Sequence, residues 1–238
     1  MTTENEPTDE PTRSRGLLYG RRKGKTLRDA RARAYETGLR DLALDLSEPL
    51  SDPKTLFGAP TDRLALEIGF GGGEHLLHQL ARQETTGFIG CEPFVNGMAR
   101  LLDDAQDHPG RSRLRVHEGD AREVIERLPD QSLDQVYLLY PDPWPKLRHE
   151  KRRFMSVETL SLLHPRMKLG AELRLATDID IYKKSAVKAA LDHLGFDRTA
   201  RDEAVPWPDW LRTRYEAKAV REGRTSAYFS FFAKLLPD

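Results

Sequence analysis

The amino-acid sequence predicts an α/β protein built on a doubly wound, mostly parallel β-sheet with an antiparallel C-terminal strand. Three observations support this fold class. Short apolar runs alternate with amphipathic segments from residue 63 to residue 195, a pattern typical of parallel strands connected by helices. A glycine-rich stretch, LEIGFGGGEH (66–75), separates the first apolar run from the first amphipathic segment. The stretch TSAYFSFFAKL (225–235) is β-rich and no helix follows it, so its strand is expected to run antiparallel.

Two elements precede this alternation. The sequence TLRDARARAYETGLRDLAL (26–44) predicts a polar helix with Leu27, Ala30 and Ala34 on one side. The prolines of SEPLSDPKTLFGAP (47–60) then predict a loop, because proline interrupts both helices and central strands.

Five strands and five helices follow in alternation. The strands are predicted over residues 63–70, 87–92, 113–120, 133–140 and 171–178. The helices are predicted from Glu74, from Asn96, and over residues 121–128, 154–167 and 182–195. The last helix repeats Val187, Ala190, Leu191 and Leu194 at the spacing of one helix face. It then reaches Gly195, a residue type that commonly ends helices.

The composition favours a cytoplasmic protein. Of 238 residues, 38% are hydrophobic, and no apolar run is long enough to span a membrane. Residues 1–14 are polar and acidic, which argues against a secretory signal and predicts a disordered tail. Residues 15–238 are predicted to form a single domain with a basic N-terminal extension. One cysteine, Cys91, allows no internal disulfide and fits a reducing compartment.

The net charge is zero, but the charges are segregated along the chain. Four acids lie in the first ten residues, whereas residues 13–40 carry ten arginines and lysines against two acids. A second basic block consists of Lys146, Arg148, Lys151, Arg152 and Arg153. Segregation of this kind produces local positive potentials, which favour a polyanionic partner. Solvated helix surfaces are the alternative interpretation of the first block.

The glycine-rich turn predicts a nucleoside-containing ligand. Gly69, Gly71 and Gly73 stand between strand and helix, where glycine permits a tight turn and the close approach of a ligand. Such a turn can also be purely structural. Two acids favour the ligand, because Glu92 ends the second strand, where it can accept both ribose hydroxyls. Asp120 ends the third strand, where it can meet the adenine amino group.

Glu67 favours S-adenosylmethionine over a nicotinamide dinucleotide as this ligand. A dinucleotide would bring a pyrophosphate to the turn, where the carboxylate of Glu67 would repel it. S-adenosylmethionine brings a sulfonium and an ammonium instead, which a carboxylate attracts. The spacing Gly-Phe-Gly-Gly-Gly also differs from the G-x-G-x-x-G/A pattern of dinucleotide sites.

The sequence YPDPWPKLRHEKRR (140–153) follows the fourth strand, so it is expected at the carboxyl edge of the sheet, where ligands bind in open α/β folds. It closely resembles the Pro-Asp-Pro-Trp motif of the bacterial tRNA (guanine-N7)-methyltransferases. LEIGFGGG, GCEP and EGDA resemble the cofactor motifs of that family. ATD (176–178) and TRYEAKAVREG (213–223) resemble its substrate elements, and YGRRKGK (19–25) resembles its basic N-terminal entry. The resemblance covers residues 17–235 in the same order.

This resemblance implies a Rossmann-like class I methyltransferase that transfers a methyl group from S-adenosylmethionine to N7 of the guanine at tRNA position 46. The implied cofactor-binding positions are Glu67, Glu92, Asp120 and Asp142, of which Asp142 is also the implied active-site residue. The implied substrate-binding positions are Lys146, Asp178, Thr213, Arg214, Tyr215 and Glu216. The segment implied to contact RNA consists of Arg148, His149, Glu150, Lys151, Arg152 and Arg153. Leu147 and Glu150 depart from the basic or polar residues common in the family, and Glu150 is expected to weaken a contact.

The chemistry of guanine N7 agrees with these residues. N7 has a lone pair and no proton, so its attack on the methyl group needs positioning and charge stabilisation rather than a general base. Asp142 and Asp178 suit that work, and their separate roles stay open. Lys146 and the following arginines are expected to bind phosphates. Trp144, between prolines, is expected to anchor the loop, with stacking on the base as the alternative.

Other conspicuous residues are interpreted as structural. His75 and His78 lack a third ligand nearby, so no metal site is expected. Cys91 is interpreted as a packed small residue. Aromatic residues near the C-terminus are expected to pack in the core or on sheet faces: Trp207, Trp210, Tyr228, Phe229, Phe231 and Phe232.

Two rival functions are considered. A methyltransferase of exocyclic amino groups in adenine or cytosine has an Asp-Pro-Pro-aromatic loop, but Trp144 replaces the second proline here and the Arg-His-x-Lys-Arg-Arg continuation is foreign to that class. A non-catalytic RNA-binding module is the second rival. It would not need the intact set of Gly69, Gly71, Glu92 and Asp142. The expected partner is tRNA, and both a monomer and a homodimer are compatible with the sequence.

Overall fold

A single seven-stranded sheet organises residues 22–237, which are the residues that the computed structural model describes. The strands are β1 (Arg63–Ile68), β2 (Thr86–Cys91), β3 (Leu114–His117), β4 (Leu133–Leu139), β5 (Met167–Thr177), β6 (Phe196–Arg198) and β7 (Ala227–Ala233). Their order is β3-β2-β1-β4-β5-β7-β6. β1 to β5 are parallel to one another, whereas β7 is antiparallel to both β5 and β6. The predicted fold class is confirmed.

Helices cover both faces of this sheet. Within the described part of the chain they are α1 (Asp29–Leu42), α2 (Glu74–Arg82), α3 (Val95–Asp104), α4 (Ala121–Arg127), α5 (Val157–Leu163), α6 (Asp180–His193) and α7 (Arg214–Arg221). Short 3-10 helices lie at Pro53–Leu56, Arg111–Arg113, Leu147–Arg152 and His164–Arg166. None of the helices between residues 22 and 237 combines the length and apolar character needed to cross a membrane.

The core consists of two apolar clusters, one on each face of the sheet. β1 shows the division, because Leu64 and Leu66 belong to the cluster with α4, α5 and α6, whereas Ala65 belongs to the cluster with α1, α2 and α3. Successive strand residues point to opposite faces, so a central parallel strand is buried on both sides. Glu67 is the exception in this strand, since it is charged and only 1% exposed.

Helix α6 differs from its predicted amphipathic pattern. Ala190 is buried as expected, but Leu191 and Leu194 are 56% and 54% exposed. The buried side consists of Tyr182, Ala186, Ala189, Ala190 and His193. Small alanines let the helix approach its neighbours closely, so they take the inner face although leucine is more hydrophobic. The helix ends at His193, two residues before its predicted end, and Leu194 rather than Gly195 caps it, in the left-handed conformation with φ 63°.

Helix α1 buries the predicted side only in part. Ala34 is buried as expected, but Ala30 is exposed, and the inner face continues through Gly38 and Leu42. A Cβ at Gly38 would lie 2.9 Å from Leu102, so glycine permits the close contact between α1 and α3. The predicted tail, residues 1–14, lies outside the described residues, and the single-domain assignment stays a prediction.

Two elements near the C-terminus were not predicted. β6 has only three residues, and its strand conformation comes from pairing with β7, in which Phe196 lies opposite Ala233. α7 begins at Thr213, whose hydroxyl oxygen accepts a hydrogen bond from the backbone N–H of Glu216 at 3.2 Å. This is half of a capping box, and the Thr-x-x-Glu pattern was the sequence signal for it.

Candidate active site

A cavity of about 460 Å³ opens at the carboxyl ends of β1, β2, β3 and β4. Its wall includes Gly69 after β1, Glu92 after β2, Asp120 after β3 and Asp142 after β4. The carboxyl ends of parallel strands meet at one edge of a sheet, which brings these residues together although they are far apart in sequence. The volume is in the range of small-molecule sites in proteins.

The glycine turn requires glycine for its conformation. Gly69, Gly71 and Gly73 have φ values of 69°, 61° and 81°, a region that other L-residues rarely adopt. The backbone N–H of Gly71 donates to Glu92 Oε2 at 2.7 Å. A Cβ on Gly97, in the first turn of α3, would lie 2.1 Å from the carbonyl oxygen of Gly71. The turn is therefore fixed between Glu92 and α3, and its first glycine, Gly69, lines the cavity.

Glu92 is a buried carboxyl with perturbed acidity. It is 7% exposed and also accepts from the backbone N–H of Phe94 at 2.9 Å. Burial raises the pKa of Glu92 to about 7, with Asp142 adding to the increase and the two backbone donors and Arg214 opposing it. Each carboxylate oxygen has a second lone pair, so both can still accept from a ligand hydroxyl.

Asp120 is held by the helix that follows it. It caps α4 by accepting from the backbone N–H of Arg122 at 3.0 Å. The guanidinium Nε of Arg122 lies 3.2 Å from the same oxygen, Oδ1. Among residues 22–237, both contacts use Oδ1, which leaves Oδ2 for a hydrogen bond to a ligand.

Asp142 lies on the proline-rich loop at the rim of the cavity. The loop partly removes its carboxyl from water, and this desolvation raises the pKa of Asp142 above its ordinary value. The loop is held from inside by Arg153, which is 3% exposed. Its guanidinium donates to the carbonyl oxygens of Pro143 at 3.0 Å and Trp144 at 3.1 Å. These bonds fix the backbone on the C-terminal side of Asp142.

Arg153, which was predicted to contact RNA, is bound inside the protein. Its guanidinium is buried and also donates to Glu150 Oε1 at 2.9 Å. Its contact with RNA stays a prediction, which this burial does not favour. Glu150, which was expected to weaken an RNA contact, instead balances the charge of this buried arginine.

Trp144 forms part of the cavity wall. The guanidinium of Arg152 lies 4.9 Å from its ring centroid, and the His149 ring meets it edge-on at 5.7 Å. These contacts fit the expected role of Trp144 as a loop anchor. The exposed cations of the loop are Lys146, Arg148 and Lys151.

The start of α7 covers the glycine turn. A Cβ on Gly71 would lie 2.7 Å from the Tyr215 ring, and a Cβ on Gly72 would lie 2.7 Å from the Arg214 guanidinium. Tyr215 also stacks on Tyr140, with 6.5 Å between ring centroids. Arg214 and Tyr215 therefore belong to the neighbourhood of the cavity.

The other two residues of the TRYE segment hold α7 in place. Thr213 is 5% exposed and caps the helix. Glu216 accepts from Trp210 Nε1 at 2.7 Å and from the Tyr228 hydroxyl at 2.8 Å. Both carboxylate oxygens of Glu216 thus have internal donors, which explains why it is partly buried.

Asp178 and Glu67 do not line the main cavity. Asp178, just after β5, accepts from Arg224 Nε at 2.5 Å, so an arginine near the C-terminus neutralises it. Glu67 lies beneath the glycine turn and contacts His75 Nδ1 at 2.7 Å. It lines a narrow cleft that shares Gly69 with the main cavity.

The basic N-terminal segment docks beside the cavity. The backbone N–H of Gly24 donates to Asn96 Oδ1 at 2.6 Å, and Asn96 Nδ2 donates to the carbonyl oxygen of Lys25 at 2.7 Å. The carbonyl oxygen of Arg22 accepts from the Val95 N–H at 2.9 Å. These bonds place the segment on the first turn of α3. The rest of the basic stretch 13–21 lies outside the described residues.

Residues 61–228 match the family model described as "Putative methyltransferase". A Rhizobium etli protein described as "tRNA (guanine-N(7)-)-methyltransferase" is 48% identical over 223 residues, which cover 92% of this chain and 96% of the relative. The chain belongs to this family of methyltransferases. A relative of the same description from Mesorhizobium japonicum is 46% identical and covers 96% of this chain and 99% of its own length. A Bartonella quintana relative of the same description is 43% identical, and the match covers 91% of this chain and 95% of that relative.

Solved methyltransferase structures share the fold. A variant of the 16S rRNA (adenine(1408)-N(1))-methyltransferase from Catenulisporales acidiphilia superposes with a TM-score of 0.53 at 20% identity, covering 82% of this chain and 94% of that chain. A second structure, described as an antibiotic-related methyltransferase, also gives 0.53, at 17% identity, with coverages of 73% and 89%. These likenesses confirm the Rossmann-like methyltransferase fold.

In this methyltransferase, the residues singled out from sequence lie in several places. Those that line the cavity are Gly69, Glu92, Asp120, Asp142, Trp144, Arg152 and Tyr215. Others lie outside the cavity wall and bind other parts of the protein through charged or polar groups: Glu67, Glu150, Arg153, Asp178, Thr213 and Glu216. Gly71 is covered by the start of α7, where Arg214 lies, and Lys146, Arg148 and Lys151 are exposed.

Sequence reasoning missed Arg122 and Arg224 and interpreted His75 as structural. The position of His75, two residues after Gly73 in the first turn of α2, was a signal for it, whereas Arg224 had none.

Proposed function

We propose that this protein transfers a methyl group from S-adenosylmethionine to N7 of the guanine at position 46 of tRNA. One observation carries the proposal beyond family membership. The glycine turn, the buried Glu92 carboxyl and the Asp142 loop converge on one cavity, with exposed cations beside it. A methyl donor and a nucleic-acid base can therefore meet at the same place.

The residues of the cavity fit S-adenosylmethionine. When bound, this cofactor supplies an electrophilic methyl group on a sulfonium. Glu92 would accept from the ribose hydroxyls, and Asp120 Oδ2 would accept from the adenine amino group. The three glycines, all at positive φ, would let the methionine portion approach the backbone. The excess of carboxylates matches a cationic ligand and disfavours a pyrophosphate.

For the methyl transfer, the protein has to orient the two reactants and stabilise the charge that develops. Guanine N7 presents a lone pair and no proton, so no residue has to act as a general base. The purine gains positive charge as the bond forms. The Asp142 carboxylate would stabilise that charge or accept from the base's N–H groups. Pro141, Pro143 and the internal bonds of Arg153 support this role, because they fix the backbone on either side of it.

Phosphate binding is assigned to the cations that face solvent. Lys146, Arg148 and Lys151 are exposed on the loop that carries Asp142. Lys25 extends the positive surface on the other side, where Asn96 holds its backbone. Contacts of this kind fix the register of an RNA on the protein without reading its bases.

Nucleoside mapping after incubation with unmodified tRNA tests the proposal. We expect 7-methylguanosine at position 46, and none in a transcript in which adenine replaces that guanine. Asp142→Asn serves as the matched inactive variant. Methylation on an exocyclic amino group would support the rival enzyme class. Binding of tRNA without binding of S-adenosylmethionine by calorimetry would support a non-catalytic RNA-binding module.

A further inference from the structure

A buried carboxyl–imidazole pair lies beneath the glycine turn. Glu67, near the end of β1, is 1% exposed, and His75, in the first turn of α2, is 3% exposed. Glu67 Oε2 and His75 Nδ1 are 2.7 Å apart. Burial of an unpaired carboxylate is strongly unfavourable, so the imidazole is what makes this position of Glu67 tolerable.

The hydrogen bonds of Gln79 determine the tautomer of His75. Gln79 Nε2 donates to the carbonyl oxygen of Asp209 at 3.0 Å, and because a carbonyl oxygen only accepts, the amide nitrogen must face it. The amide oxygen of Gln79 accordingly accepts from Gln83 Nε2 at 3.0 Å. The same amide nitrogen lies 3.3 Å from His75 Nε2, which can accept from it. This arrangement assigns the acceptor role to Nε2 and the N–H that faces Glu67 to Nδ1.

His75 is the group that contacts the Glu67 carboxyl beneath the turn. The arginines of this region bind other carboxylates, since Arg174 binds Asp209 at 2.8 Å and Arg214 lies 3.7 Å from Glu74. The orientation of the Glu67 carboxyl group therefore depends on His75.

The cleft beside Glu67 adjoins the main cavity. Glu67 and His75 line this cleft of about 10 Å³, which shares Gly69, Tyr140 and Tyr215 with the cavity. We propose that His75 is a positioning residue, which holds the Glu67 carboxyl where it can attract the cationic methionine portion of S-adenosylmethionine. The inference rests on the proposed function, because it takes the cofactor from there.

Three ligands and three variants separate this role from a structural one. The ligands are S-adenosylmethionine, S-adenosylhomocysteine and 5′-methylthioadenosine, the last of which lacks the amino-acid portion. His75→Leu removes the hydrogen-bond donor. His75→Asn keeps an N–H at the place of Nδ1, and Glu67→Gln removes the charge. Calorimetry measures each affinity on the full-length protein, and thermal unfolding checks each variant.

We expect His75→Leu and Glu67→Gln to weaken both amino-acid-containing ligands by about tenfold or more, the scale of a lost charge-assisted hydrogen bond. Binding of 5′-methylthioadenosine should stay within about twofold, since the lost contact lies outside the nucleoside. His75→Asn should retain most of the affinity. A double variant that combines His75→Leu with Glu67→Gln should bind these ligands no more weakly than Glu67→Gln alone, because both changes act on one charge.

Two results would overturn the inference. Equal weakening of all three ligands in His75→Asn and His75→Leu would mean that the histidine only shapes the turn. Unchanged affinities in Glu67→Gln would mean that its charge does not reach the cofactor. In either case, methylation of tRNA by the wild-type protein would still support the proposed function. If the wild-type protein does not bind S-adenosylmethionine, both the proposed function and the role of His75 are wrong.

Discussion

The acidity of Glu92 predicts that cofactor binding depends on pH. Burial raises the pKa of this carboxyl to about 7 in the free protein. Ribose hydroxyls donate hydrogen bonds, so they favour the ionised form, and binding should lower the pKa and release a proton. With a pKa of about 7, about nine-tenths of the carboxyl is ionised at pH 8 and about one-tenth at pH 6. The affinity for S-adenosylmethionine should therefore fall by about tenfold from pH 8 to pH 6.

Calorimetry at both pH values, in two buffers of different ionisation enthalpy, measures the affinity and the proton release together. Glu92→Gln is the control, because it cannot titrate but leaves every other group in place, including those of the cofactor. The variant should bind more weakly than wild type at pH 8, by about tenfold, and the two proteins should converge at pH 6.

The raised pKa of Glu92 determines the direction in which pH changes cofactor binding. A raised pKa means that the free protein holds its proton more tightly, so acid opposes binding and alkali favours it. Equal pH dependence in wild type and Glu92→Gln would show that other groups cause it. Proton uptake on binding by wild type, in excess of that in the variant, would refute the assignment of Glu92 to the ribose.

Four further predictions follow from the site. Asp142→Asn should slow single-turnover methylation by roughly 10²–10³ without changing the unfolding midpoint, because it removes one preorganised charge; a near wild-type rate would contradict this role. Lys146→Ala should lower the salt slope of tRNA binding by roughly 0.7–0.9, and an unchanged slope would contradict a phosphate contact. Arg153→Ala should instead destabilise the protein by about 1–3 kcal/mol in urea unfolding, since it leaves two partly buried carbonyl oxygens without donors; an unchanged stability would contradict the loop geometry. Gly97→Ala should weaken S-adenosylmethionine binding in calorimetry by about tenfold or more, because its Cβ would lie 2.1 Å from the Gly71 carbonyl oxygen; unaltered affinity would show that the glycine turn tolerates displacement.

The convergence of the cavity residues could be predicted from sequence because it depends on topology alone. Glu92, Asp120 and Asp142 each come directly after a strand that the hydrophobic pattern identifies. Parallel strands bring their carboxyl ends to one edge, so a residue's place in the chain gives its place in the fold. The glycines of the turn are predictable for a related reason, since their conformation is a local property of the backbone.

The partners of these residues could not be predicted, because they depend on how remote elements pack. Asp178 and Arg224 are 46 residues apart, and their ion pair forms only when the end of β5 meets the turn after α7. Alanine-rich α6 presents a similar difficulty. Its inner face is decided by how closely the helix approaches its neighbours, and the more hydrophobic Leu191 is left outside.

The proline-rich loop shows why residue type alone does not assign a cation to RNA. Arg153 and Lys151 are neighbours in one basic block, yet Arg153 is buried and Lys151 is exposed. A buried guanidinium needs acceptors, and it finds them in Glu150 and in the carbonyl oxygens beside Asp142. With Glu150 neutralising the inner cation, the exposed ones keep their full charge. The same segment therefore fixes the backbone beside the Asp142 carboxyl at the cavity and presents positive charge to solvent, as the proposed methylation of tRNA requires.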